Sequence, residues 1–161
     1  MGYNLGTATD ETTVERDATE REERYRATVP YTRKAIPSDD EILKATQVLV
    51  DACHGRAWNA GWYHDPRTGL EVERNMGEIF ALIHSEISEA LEGHRKSLMD
   101  DKLPNRRMVP VELFDAVIRI FDTIGREFPD DVPALLEKMH FNDKRADHKP
   151  EARLQANGKK F

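Results

Sequence analysis

A single cysteine, Cys53, leaves no partner for an internal disulfide. That scarcity fits a reducing, cytoplasmic compartment, with Cys53 itself read as a small core hydrophobe. No apolar run approaches the ~18 residues that a membrane-spanning helix needs, which excludes a membrane partner of that kind. The first residues, "MGYNLGTATDETTVERD", lack a basic segment followed by an apolar one, and Gly2 is not followed by the Ser or Thr of a myristoylation signal; neither export nor a lipid anchor is expected. Basic residues are in deficit, giving a net charge of −6 and a pI near 5.5, which argues against holding nucleic acid by counterion release. No stretch alternates with period two and no internal repeat is visible, so strands and repeat architectures drop out.

What is present reads as helix. Hydrophobic residues make up 39% of the chain and charged residues 34%, a polar but globular balance, and 161 residues suffice for one domain. Residues 1–36 are rich in alternating Glu and Arg ("VERDATEREERYR") and predict a mobile polar arm. Ser38 with Glu41 three positions on is a capping box, and Ile42, Leu49 and Cys53 give the first helix its stripe. After the loop "NAGWYHDPRTGL", a second helix starts near Asn75 and runs to about Lys96. Pro110 suits the first turn of a third, which Gly125 can end. A fourth, "PDDVPALLEKMHFNDKR", takes Asp130 or Asp131 as cap. The expectation is an all-α fold: a four-helix bundle-type core over 37–145, with polar arms at 1–36 and 146–161.

The second helix carries a contradiction. On a wheel of 100° per residue, Glu86 falls inside the apolar arc of Ile79, Leu82, Ile83 and Ala90, with Glu89 at its edge. The third helix is apolar over more than half its circumference and is expected to be covered on most sides. Its polar residues, Glu112, Asp115, Arg119 and Asp122, form one narrow strip. Acid pairs three apart are cheap here, since 30 acids in 161 residues place about five or six by chance; the placement carries the weight. A buried carboxylate costs several kcal/mol unless a cation answers it, and Arg119 and Arg95 are too few for four acids. A divalent ion answers them, and oxygen ligands without Cys or His point to Mg²⁺ or Mn²⁺. A di-iron centre would want Glu-x-x-His on its acid-bearing helices, and neither of these has it.

Glu86-x-x-Glu89, then 22 residues, then Glu112-x-x-Asp115 resembles the signature of the all-α nucleoside triphosphate pyrophosphatases. "GWY", "LIHSEISEALEGHRK", "DKLP", "VELFDAVIRIFD" and "KMHFNDKRADHK" look like the MazG-like members found in phages and bacteria. The likeness runs from about Leu49 to the C-terminus. One departure is Phe114, where those proteins usually carry a small Ala; it lies off the polar strip and bears on packing rather than chemistry.

The resemblance implies hydrolysis of a nucleoside triphosphate, expected to be a deoxynucleotide, between its α and β phosphates. Glu86, Glu89, Glu112 and Asp115 are then the expected metal ligands, and Glu89, at the edge of the apolar arc, is the acid expected to take the proton of water. The resemblance places a Lys-x-x-x-Asn pair against the substrate, matched by Lys138 and Asn142, and Arg145 falls on the same helical face. Trp62, in a cluster with Trp58 and Tyr63, is expected to stack on the base; the rival is a tryptophan that plugs the bundle's end. His64, His84 and His94 read as surface or structural residues. The basic tail, with Lys159 and Lys160, is expected to fold over phosphates or onto a neighbouring subunit. A homo-oligomer, dimer or tetramer, is expected. The alternative is a non-catalytic helical module that binds a nucleotide or a protein.

Overall fold

The computed structural model describes residues 34–159, and the expectations for residues 1–33 and for Lys160 lie outside them. The compact unit that begins at Pro37 is all-α. Its long helices are α1 (Asp39–Asn59), α2 (Met76–Lys96), α3 (Met108–Glu127) and α4 (Ala134–Lys144), followed by the short α5 (Pro150–Arg153). Single 3₁₀ turns at Pro129–Asp131 and Ala146–His148 flank α4. The only β pairing among the described residues is two isolated bridges, His64 with Glu71 and Met99 with Arg107, which close loops.

Local chemistry sets where the helices start. Ser38 caps α1 by the capping box: its backbone N–H donates to Glu41 Oε2 at 2.8 Å while its hydroxyl takes the Glu41 N–H at 3.4 Å. Asn75 caps α2 by accepting from the N–H groups of Gly77 and Glu78. At the far end Ser97 adopts φ 54°, ψ 43°, a left-handed cap usually filled by glycine. Pro110 lies in the first turn of α3, as expected.

α3 is the central element, with α1 and α2 both packed against it. Two glycines allow the close approaches. A Cβ on Gly93 would stand 2.9 Å from Met108 Cβ, where the end of α2 meets the start of α3, so the two helices form an antiparallel hairpin. A Cβ on Gly125 would stand 2.7 Å from His54 Cβ. Gly125 therefore does not end α3, which runs on to Glu127; it lets α1 in.

Other sequence expectations are corrected. On α1 the buried residues are Thr46 and Val50, while Leu49 is half exposed, because the face toward α3 is rotated by one residue from the stripe expected. α4 starts after Pro133, with Asp130 and Asp131 in the 3₁₀ turn rather than capping it. It ends at Lys144, and Arg145 follows in an extended conformation (ψ 125°). Nor is α3 covered on most sides: Leu113, Phe114, Val117, Ile118 and Ile120 are all exposed.

Candidate metal centre

The α2–α3 hairpin brings the acids together. Glu86 projects from the same side of α2 as Ile79, Ala90 and Gly93, all buried against α3, so its carboxylate goes in with them. Glu112 does the same from the second turn of α3 and is only 3% exposed. Glu89, one turn beyond Glu86, stays exposed at the rim. One carboxylate oxygen from each of Glu86, Glu89 and Glu112 lies within 4.8 Å of the others. Asp115 is half-buried and completes the local field, although it stands outside that trio.

Too little positive charge answers this group. Burial pushes the Glu112 carboxyl up to about 7; the charge of Glu89, then the hydrogen bond and charge of Glu86, then Asp115 push it the same way. The one side-chain cation bonded to these acids among the described residues is Arg119, whose Nε donates to Glu86 Oε1 at 2.7 Å. Arg95, the other candidate, pairs with Glu92 instead at 3.7 Å. Three converging oxygens with a surplus of negative charge and no Cys or His match a hard divalent cation, so the residues present fit one.

A second polar cluster sits further along the same helix, and sequence reasoning missed it. The Tyr63 hydroxyl donates to Asp122 Oδ1 at 2.7 Å, and His54 Nδ1 lies 3.0 Å from that oxygen. Tyr63 is 2% exposed; burial, reinforced by its bond to Asp122, raises its hydroxyl pKa well above the ordinary range. Trp58 stacks on Tyr63 with ring centres 6.0 Å apart, and His64 meets Trp58 edge-on at 4.8 Å. The Arg126 guanidinium lies over both Trp58 and Tyr63 and bonds Glu71. Asp122 was visible as the last member of the polar strip on α3; its partners were not. A small cleft lined by Arg74, Leu82, Arg119 and Asp122 borders both clusters.

The other expected site residues lie elsewhere. Trp62 is 68% exposed, beside the aromatic cluster in sequence but outside its ring pairs. Trp58, which belongs to α1, stacks on Tyr63 but is itself 37% exposed, so neither tryptophan is a buried plug. α4 packs on α1, where His140 Nε2 reaches Asp39 Oδ1 at 3.3 Å. The one Glu-x-x-His spacing in the chain, Glu137 to His140, is thus committed away from the acids. Lys138 sits over the Phe141 ring at 4.9 Å, and Asn142 Oδ1 is buried with no hydrogen-bond partner among the described residues. Arg145 is off the helical face and holds Asp147 through two bonds of 2.9 and 2.6 Å. No hydrogen bond or ion pair among the described residues joins Lys138, Asn142 or Arg145 to Glu86, Glu89 or Glu112. His84 and His94 are exposed on α2.

No protein-family model matches the chain, and no curated protein or solved structure matches it either.

Proposed function

We propose that the chain is a Mg²⁺-dependent nucleoside triphosphate pyrophosphohydrolase of the MazG-like kind, acting in the cytoplasm on a deoxynucleotide and working as a homo-oligomer. The observation that carries the reading is the convergence of Glu86, Glu89 and Glu112 from two facing helices, where burial and then the neighbouring acids raise the Glu112 carboxyl. The resemblance of Glu86-x-x-Glu89 and Glu112-x-x-Asp115 to the pyrophosphatase signature supports it.

In this reading Glu86, Glu89 and Glu112 would hold the ion, with Asp115 beside them as the fourth ligand. A divalent ion there supplies neutralisation of phosphate charge and acidification of water. Glu89 is open to solvent, and it accepts the proton of the water that adds to phosphorus as the α–β anhydride bond breaks and pyrophosphate departs. Arg119 is kept beside the acids by its bond to Glu86 and is the cation best placed to meet a phosphate oxygen there.

The test is pyrophosphate release from a panel of ribo- and deoxynucleoside triphosphates with Mg²⁺, with EDTA as the control. Metal-dependent release of monophosphate and pyrophosphate from at least one nucleotide is expected. Tight nucleotide binding with no release under any metal would favour the non-catalytic binding module.

A further inference from the structure

Arg119 is the one member of the polar strip on α3 that carries positive charge, and it stands between the two clusters. Glu112 and Asp115 precede it by seven and four residues and Asp122 follows by three, so all four share one face of the helix. Across the hairpin its Nε donates to Glu86 Oε1 at 2.7 Å, joining residues 33 positions apart in sequence. The partners are unequally buried: the Glu86 side chain is 9% exposed and that of Arg119 is 40%. Among the described residues this is the only hydrogen bond the guanidinium makes. The same side chain lines the small cleft that it shares with Arg74 and Asp122.

A guanidinium and a divalent ion that draw on one carboxylate oppose each other. Glu86 is one of the three acids whose oxygens converge within 4.8 Å, so an ion held by them and the Arg119 guanidinium would be near neighbours of like sign. In a half-buried setting such charges are poorly screened. Arg119 therefore stabilises the acids while no ion is bound and weakens their hold on one. A triphosphate changes the balance. Its chain of anionic oxygens matches the planar fork of the guanidinium, which can bind two oxygens at once, whereas Glu86 engages Nε alone.

We infer that Arg119 is a positioning residue that couples nucleotide binding to metal binding. It holds Glu86 until a phosphate chain arrives, then turns its guanidinium to the phosphate oxygens and releases Glu86 to the divalent ion. The buried carboxylate is paired with a cation at both stages, which avoids the cost of an uncompensated charge. Such coupling is reciprocal: the factor by which nucleotide tightens metal is the factor by which metal tightens nucleotide. Both ligands are those of the functional reading, on which the coupling rests. What it adds is a sign. Without nucleotide Arg119 opposes the metal, whereas a side chain that only braced Glu86 would assist it.

Mn²⁺ titration of the full chain, with and without a non-hydrolysable deoxynucleoside triphosphate, tests this by the paramagnetic resonance of the free ion. A protein-free control removes the Mn²⁺ held by the nucleotide itself. Without nucleotide, Arg119→Gln should bind Mn²⁺ at least ~5-fold more tightly than wild type, the lower end of an ordinary coupling. Arg119→Lys keeps the charge and should stay close to wild type. Nucleotide should tighten Mn²⁺ at least ~5-fold more in wild type than in Arg119→Gln. If Arg119→Gln lost its helical signal, Arg119→Met, which keeps the apolar stem, would carry the same comparison. A folded variant that binds Mn²⁺ no more tightly than wild type would overturn the proposal, as would an equal gain from nucleotide in the two. Wild type that takes up no Mn²⁺ under either condition would instead overturn the functional reading, and the coupling with it.

Discussion

Glu112 and Asp122 are buried carboxylates on one helix, α3, and their surroundings are opposites. Asp122 is served: Tyr63 donates to it, His54 stands against the same oxygen, and aromatic rings close the end of the helix stack. Glu112 is opposed: burial first, then the charges of Glu89, Glu86 and Asp115 around it, raise its carboxyl to about 7. Burial alone therefore does not mark a functional acid. The partners do. A satisfied carboxylate ties elements together, whereas an unsatisfied one is stable only protonated or beside a cation that the chain does not itself provide.

The largest effect should come from the unsatisfied end. Glu86→Gln or Asp115→Asn should lower kcat at least ~10²-fold, the scale of a lost catalytic group, with helicity unchanged by circular dichroism. Turnover like wild type in either variant would make the acids structural, as Asp122 is. At the satisfied end, Asp122→Ala leaves the Tyr63 hydroxyl and His54 without their acceptor. It should cost about 2–3 kcal/mol in chemical denaturation while leaving the metal-induced rise in Tm intact. A lost metal response there would merge the two clusters into one site.

Further substrate contacts are expected away from both carboxylates. Lys138→Ala should weaken binding of a non-hydrolysable triphosphate about tenfold, the worth of one charge-assisted hydrogen bond, with little change in preference among bases. Trp62→Ala should blur base preference and leave metal affinity alone. α4 packs on α1 rather than on the acid-bearing hairpin, so an unaltered Lys138→Ala would shift the phosphate contact to Arg119.

The smallest effect is on pH. A carboxyl raised from 4.5 to about 7 on folding binds its proton more tightly in the native state. Its contribution to stability is full below the unfolded value and is lost as pH rises through about 7. Metal-free protein should accordingly lose a few degrees of Tm (~3–5 °C) between pH 5 and pH 8. Glu112→Gln should flatten that slope, and Mn²⁺ should offset it most at pH 8, where the carboxylate is free to bind.

How much of this the sequence discloses depends on the range of each interaction. Ser38 with Glu41, and Asn75, announce their helices because a cap is settled within three residues. Glu86 and Glu112 are legible because a wheel shows a carboxylate on an apolar arc without knowledge of its partner. The Tyr63–Asp122 bond spans 59 positions, and no local pattern announces it. Gly125 carries the ordinary signature of a helix end; only the arrival of His54 turns it into a packing site. Helical arithmetic puts Arg145 on the face of Lys138 and Asn142, but the helix ends at Lys144 and Asp147 captures the guanidinium.

On the proposed function, the charge left over around Glu112 is there to be met by a divalent ion. Titrating Mn²⁺ into the full chain at pH 8, with free ion followed by its paramagnetic resonance signal, tests it without nucleotide or turnover. Wild type should take up the ion, and Glu112→Gln should lose most of that uptake while keeping its fold. Equal uptake by the two, or none by wild type, would show that the acids do not form a metal site.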